Sequence, residues 1–325
     1  MAKEWDFELV AGPVGGTTEG PAWDGRALLF SNIAQDRILR YDPVTGETTV
    51  KFSDTNRNNG NMIDSRGNFF GCRAGDHCIA LYKPDGTVVM LPNRLDGKRH
   101  NRPNDLAIDR FGRIWFTDSA GRGLDPNEFE LDHQSVLRLD PDPDAEGGYT
   151  LKRMTFDTDF PNGILLSKDE RTLYVAQSGY SLEVRRELRA YPLRDDDTLG
   201  DYRTLFTFGQ DKLNRDRGVY GVHRGIDGMV LTTDGNIIAC TGWREAGPGP
   251  MIYVFSPTGR VLETHPVPVD RPTNITFGGP DLSDLYITSS GYRDETGGCL
   301  FRVRNSGHRG WLPYGEVLGT SEPRG

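Results

Sequence analysis

The chain has 325 residues, with 38 Lys and Arg against 47 Asp and Glu and a formal net charge of -9. That balance, with no basic cluster interleaved with aromatics, excludes nucleic acid and anionic membrane surfaces as partners. Forty glycines and twenty prolines are too many for a helical protein, and their even spread at turn-like spacing argues against disorder.

The first ten residues, Met1 to Val10, hold no apolar core of a leader, and no apolar run approaches a membrane span. The cytoplasm is the expected compartment. Cys72, Cys78, Cys240 and Cys299 fit it as buried thiols, although Cys72 and Cys78 could meet across a hairpin.

Taken in chain order, the elements are short β-branched or aromatic runs between turn residues. Phe7 to Val10 comes first. Leu28 to Ser31, Ile38 to Tyr41 and Thr48 to Phe52 follow Glu19, with Asp42-Pro43-Val44-Thr45-Gly46 as a turn. Phe69 to Cys72, Ile79 to Tyr82 and Thr87 to Leu91 follow Asn59, turning at Lys83-Pro84-Asp85-Gly86. Ile114 to Thr117 and Ser135 to Leu139 follow Asn104, and Leu173 to Ala176 and Leu188 to Tyr191 follow Asn162. Ile237 to Cys240 and Met251 to Phe255 follow Asp227, and Leu285 to Thr288 and Leu300 to Val303 follow Asn274. Proline presets φ in these turns and glycine takes the positive-φ position.

Each of these six leading polar residues stands five positions before a turn residue: Asp24, Asp64, Asp109, Ser167, Thr232 and Gly279 in order. They recur at intervals of 40, 45, 58, 65 and 47 residues, the size of a propeller blade. The expected fold is an all-β, six-bladed β-propeller forming one domain over residues 1–318, with a flexible tail at 319–325. The sixth unit lacks a clear fourth strand, so Phe7 to Val10 is expected to complete it and close the ring. Residues 118–134 and 211–224 lengthen the third and fifth units and are expected over one rim, where loops carry specificity.

The first strand of each blade lines the central channel, so the six residues would form a ring. A water-filled tunnel would explain the asparagines alone. Glu19 and Asp227 are different, because two charges in a narrow channel are costly without a counter-cation. Carboxylates with amide oxygens and waters are a divalent-metal set. Asp140-Pro-Asp142-Pro-Asp144-Ala-Glu146 begins like a calcium loop but has Ala145 where glycine is needed and Leu151 where the bidentate Glu is needed, so it reads as a solvated turn. His100 and His223 read as surface or hydrogen-bonding residues. The chain offers neither a nucleophile elbow nor a phosphate-cradling glycine loop.

Thr18-Glu19-Gly20-Pro21-Ala22-Trp23, Arg102-Pro103-Asn104-Asp105-Leu106, Phe160-Pro161-Asn162-Gly163-Ile164 and Gly225-Ile226-Asp227-Gly228-Met229 resemble the motifs of the SMP-30/gluconolactonase/LRE family, over about residues 8 to 304. The resemblance implies a six-bladed propeller with one divalent metal in its channel and hydrolysis of sugar lactones or related lactones. It implies Glu19, Asn162 and Asp227 as metal ligands, Asn104 beside the metal-side water or substrate, and Arg102 as a substrate-binding arginine. Asn59 and Asn274 are assigned to the pocket wall. Asp227 is the expected general base and Asn104 the oxyanion donor. Ca²⁺ is the first choice of metal, with Zn²⁺, Mn²⁺, Mg²⁺ and Fe²⁺ open. The expected partner is a small-molecule lactone, and the expected assembly a monomer or small homo-oligomer. The alternatives are a metal-dependent phosphotriesterase or other esterase on the same site, and a non-catalytic binding scaffold.

Overall fold

The structure is a computed structural model that describes residues 4–120, 126–179, 184–209, 224–244, 246–291 and 297–313. Strand β1 (Glu8–Ala11) comes first. Blade one is β2 (Thr18–Trp23), β3 (Leu28–Asn32), β4 (Arg37–Tyr41) and β5 (Thr48–Ser53). Blade two is β6 (Asn58–Ile63), β7 (Phe69–Arg73), β8 (Cys78–Tyr82) and β9 (Val88–Met90), followed by a hairpin of β10 (Arg94–Leu95) and β11 (Lys98–Arg99). Blade three is β12 (Arg102–Ile108), β13 (Ile114–Ser119), β14 (Ser135–Pro141) and β15 (Tyr149–Arg153). Blade four is β16 (Pro161–Leu166), β17 (Thr172–Gln177), β18 (Arg186–Pro192) and β19 (Arg203–Phe208). Blade five is β20 (Ile226–Leu231), β21 (Ile237–Trp243), β22 (Ala246–Phe255) and β23 (Val261–Pro266). Blade six is β24 (Arg271–Gly278), β25 (Asp284–Ser290) and β26 (Leu300–Val303), with β1 paired antiparallel to β26.

The six innermost strands, β2, β6, β12, β16, β20 and β24, each touch the next, and β24 returns to β2. This is the six-bladed β-propeller expected from the sequence. Burial falls outward along each blade. The second strands β3, β7, β13 and β21 are buried at every residue, whereas β5 and β9 are largely exposed. A second strand packs against neighbouring blades on both faces, so its apolar residues run consecutively at the turn end, as in Leu28–Phe30 and Ile114–Phe116, and the polar ones that follow, such as Ser31 and Asp118, are buried with hydrogen-bond partners. Fully burying Phe30 or Phe116, both without exposed surface, contributes roughly 1.5–3 kcal/mol each.

The turn residues that mark the repeat close the hairpin between the first two strands of a blade. Asp24 Oδ1 accepts the amides of Arg26 and Ala27 at 2.8 and 2.6 Å. Asp64 Oδ1 accepts Arg66 and Asn68, both at 2.8 Å, and Asp109 Oδ1 accepts Phe111 and Arg113 at 2.9 and 3.0 Å. Ser167 and Thr232 do the same with hydroxyls, at 3.0 Å each. A side chain that satisfies turn amides locally is what fixes such a corner.

At the closure, Glu8 pairs with Arg302 and Arg304 at 2.9 and 3.2 Å. Thr18 donates its hydroxyl to the carbonyls of Ser289 and Cys299 at 3.0 and 2.7 Å, tying blade one to blade six. All four cysteines are free and buried, and Cys72 faces Ile79, not Cys78, across β7 and β8. Of the expected rim segments, 121–125 and 211–223 lie outside the described residues, as do His223 and the tail 319–325. The remainder of the first segment holds a short 3-10 turn, Pro126–Glu128. Among the described residues no helix is long and apolar enough to cross a membrane.

Candidate functional site

Every innermost strand breaks its pairing at the same place. Two residues bulge between Glu19 and Ala22, Asn58 and Asn61, Pro103 and Leu106, Pro161 and Ile164, Ile226 and Met229, and Pro272 and Ile275. A bulge frees backbone and re-aims side chains, here around the channel. Bulged glycines let the strands approach. A Cβ on Gly163 would lie 2.3 Å from the Asp227 carbonyl oxygen, and one on Gly228 would lie 2.0 Å from Asn274 Cγ.

Counted from the bulge, the six repeated residues are not equivalent. Asn59, Asn104, Asn162 and Asp227 are first bulge residues, but Glu19 precedes its bulge and Asn274 is the second bulge residue. The cause is strand length: two paired residues separate the bulge from the turn in β2, three in β6, β12, β16 and β20, and four in β24. The bulge equivalent of Asn274 in blade three is Asp105, which the turn-anchored count passes over.

Glu19, Asn162, Asp227 and Asn274 are all buried on their innermost strands. Gly20 N donates to Glu19 Oε2 at 2.6 Å. Asn274 Nδ2 donates to Asp105 Oδ2 at 3.3 Å and its side chain also hydrogen-bonds Glu19, so one amide links two carboxyls. Burial, opposed by Gly20, Asn274 and the charge of Arg224, raises the Glu19 carboxyl above its ordinary range. Burial and the neighbouring Glu19 charge push Asp105 up to about 7, against the amide of Leu106 and the side chain of Asn274. Arg224 Nη2 ion-pairs with Asp227 Oδ2, and its Nη1 donates to the Pro272 carbonyl at 2.9 Å.

The other expected residues, His100 apart, are less completely buried. Asn104 is half-buried beside Asp105. Asn59 is also half-buried; its carbonyl accepts Ser31 Oγ at 2.7 Å, and its Oδ1 has no partner among the described residues. Asn58 and Asn61, not Asn59, build the polar network of blade two, sharing Ser31 Oγ at 2.9 and 2.8 Å. Arg102 lies half-buried at the start of β12, where Nη2 donates to Glu128 Oε2 at 3.2 Å and the guanidinium stands 5.9 Å from the Phe129 ring. His100 is buried and its Nδ1 lies 3.0 Å from Asp118 Oδ1.

Among the described residues no three His, Cys, Asp or Glu side chains converge closely enough to hold a metal by themselves. A metal would therefore draw on an amide oxygen, which Asn162 offers. The donor chemistry of Glu19, Asn162 and Asp227 fits a hard divalent cation, and among the described residues the carboxyls Glu19, Asp105 and Asp227 outnumber the one guanidinium paired with them, Arg224. A cavity of about 80 Å³ is lined by Ile108, Leu166, Leu231, Trp311 and Leu312, with Asp105 and Asn274 also on its wall.

Sequence could have flagged Asp105 by its charge at a bulge position where three other blades carry Gly60, Gly163 and Gly228. Arg224 gave no signal, since its partner depends on how the chain enters β20.

Residues 17–291 match the model of the SMP-30/Gluconolactonase/LRE-like region. Regucalcin of Xenopus laevis is 26% identical over 306 residues, covering 91% of this chain and 93% of the relative, and regucalcin of Oryctolagus cuniculus is 27% identical with the same coverage. The structure of a gluconolactonase from Xanthomonas campestris superposes with a TM-score of 0.74 at 30% identity, covering 92% of this chain and 89% of that one.

Proposed function

The chain belongs to the SMP-30/gluconolactonase/LRE-like family, and from that premise we propose that it is a metal-dependent lactonase, opening a sugar lactone or related lactone to the hydroxy acid. The observation that carries the reading is an excess of acid among the described residues of the channel: the carboxyls of Glu19, Asp105 and Asp227 are buried, and Arg224 is the guanidinium set against them. Buried anions in excess of their cations favour the entry of a cation. Likeness to the Xanthomonas campestris gluconolactonase supports the substrate class.

In this reading Glu19, Asn162 and Asp227 hold the cation through oxygen, the ligand type Ca²⁺ takes. When bound, the cation supplies Lewis-acid polarisation of a carbonyl and lowers the pKa of water. Asp227 accepts the proton of the attacking water as general base. The Asn104 amide donates to the oxyanion that develops on the carbonyl oxygen. Arg102, held at the rim by Glu128, orients a hydroxyl or ring oxygen of the substrate. Asn59 and Asn274 bound the pocket, and Asn274 keeps Glu19 in place through its hydrogen bond.

A pH-stat panel of aldonolactones, aliphatic and aromatic lactones and an organophosphate tests the proposal, with and without a chelator. Lactone turnover that vanishes on chelation and returns with added Ca²⁺ or another divalent ion is the expected result. Turnover unaffected by complete metal removal refutes the metal dependence, and a preference for the organophosphate refutes the substrate class.

A further inference from the structure

We propose that Arg224 is a built-in rival of the metal, neutralising Asp227 in the metal-free channel and giving that carboxylate up when a divalent cation enters. This rests on the reading of Glu19, Asn162 and Asp227 as the metal-holding residues.

Arg224 is buried, with 8% of its surface exposed. It stands three residues ahead of Asp227, and Gly225, at φ +76°, lets the chain turn between Arg224 and β20. Its two terminal nitrogens serve different blades: Nη2 meets Asp227 Oδ2 of blade five, and Nη1 donates to the carbonyl of Pro272 in blade six. Pro272 is the last paired residue before the bulge that carries Asn274. The guanidinium therefore spans two adjacent innermost strands at the level of the bulges. Its charge also acts on Glu19, so one side chain touches or biases both carboxylates of the proposed metal set.

A guanidinium cannot leave by losing its proton at ordinary pH, so it yields a carboxylate only by moving. A divalent cation on Asp227 and a guanidinium on the same carboxylate repel strongly in a site this dry. Metal binding is then a competition, and the apparent affinity is reduced by the fraction of molecules in which Asp227 is free. The same pair explains how a channel with excess acid folds before a metal arrives: Arg224 supplies a charge-assisted hydrogen bond to Asp227. Arg224 is thus a residue that tunes metal affinity, acting on substrate only through the metal.

The test is calorimetric titration of Ca²⁺ into chelator-treated wild type, Arg224→Gln and Arg224→Lys, with melting temperatures measured with and without Ca²⁺. Arg224→Gln is expected to bind Ca²⁺ at least tenfold more tightly, to melt lower without metal, and to gain more from Ca²⁺ than wild type. Arg224→Lys, with a shorter reach and a single nitrogen, is expected to fall between. Equal or weaker Ca²⁺ binding by Arg224→Gln, with wild type still binding, overturns the proposal and leaves the metal reading standing. No binding by any of the three overturns the metal reading and the proposal with it. Should Arg224→Gln fail to fold, arginine side-chain ¹⁵N spectra of wild type decide, with Arg224→Lys identifying the signal. Loss of the slowly exchanging Arg224 signal on saturation with Ca²⁺ supports displacement, and an unchanged signal refutes it.

Discussion

Asn274 donates its side-chain amide to Asp105 at 3.3 Å while also hydrogen-bonding Glu19, so residues 169 positions apart in sequence hold two buried carboxyls in one chain of contacts. Both carboxyls have their pKa raised, Asp105 to about 7. The folded protein therefore binds protons that the unfolded chain has released between the ordinary carboxylate range and about pH 7. With more protons bound in the folded state, stability falls as pH rises through that window. Glu19 and Asp105 are therefore expected to pull the melting temperature of metal-free protein down between about pH 4 and pH 7, and Asp105→Asn to shift the slope of melting temperature against pH upward relative to wild type. Melting curves of the two proteins across the range check this. An unchanged slope in Asp105→Asn would mean that Asp105 is ionised in the folded state throughout.

Replacing the carboxylates one at a time separates holding a cation from moving a proton. Glu19→Gln and Asp227→Asn keep shape and burial, so circular dichroism should be unchanged. Asp227→Asn is expected to lose about 10²–10⁴-fold in lactone kcat/KM, the range of a general base, even at saturating Ca²⁺. Glu19→Gln is expected to weaken Ca²⁺ binding and to recover part of its activity when Ca²⁺ is raised. Kinetics over a Ca²⁺ series distinguish the two, and an Asp227→Asn variant with near-wild-type turnover would remove Asp227 from the chemistry.

The approach of the innermost strands predicts which glycines tolerate a methyl group. At Gly228 the added carbon would sit 2.0 Å from Asn274 Cγ, whereas at Gly209 nothing among the described residues lies within 4 Å. Gly228→Ala is expected to destabilise by about 1–3 kcal/mol through overpacking and, by shifting Asn274, to reduce activity as well. Gly209→Ala is expected to stay within about 0.5 kcal/mol of wild type. Denaturant melts of both variants measure the difference.

How much of this was legible in the sequence follows from which contacts are local. The hairpin corners were legible because Asp24, Asp64 and Asp109 satisfy turn amides two to four residues away. Counting back from those corners finds Asn59, Asn104, Asn162 and Asp227 at one bulge position. It misplaces Glu19 and Asn274 by one residue because β2 is shorter and β24 longer beyond the bulge. Asp105 escaped for the same reason, being defined by the bulge and by Asn274 on a different blade. The Arg224–Asp227 pair is close in sequence, but it depends on the turn at Gly225 and on a carbonyl from β24. Periodicity carries no trace of such a contact. Arg102 had a motif, yet its ion pair with Glu128 comes from an insertion outside the repeat.

The N-terminal segment offers a prediction about the ring that is independent of the channel. Trp5 is buried, stacks on His265 at 3.9 Å between ring centroids and 7° between planes, and donates its indole N–H to the Ser306 carbonyl at 3.0 Å. It lies just ahead of β1, which supplies the fourth strand of blade six, so it ties the start of that strand to β23 of blade five through His265 and to the segment after β26 through Ser306. Trp5→Ala removes the stacking and leaves the Ser306 carbonyl without its donor, and should cost about 3–5 kcal/mol, as buried aromatic truncations do. The channel residues are on other strands, so lactone kcat/KM well below the melting temperature should stay within about twofold of wild type. The segment around β1, loosened from β26, should then be cut faster by protease near the N-terminus. A Trp5→Ala protein that melts within about 1 °C of wild type would show that β1 is held by its strand pairing with β26 and the Glu8 ion pairs alone.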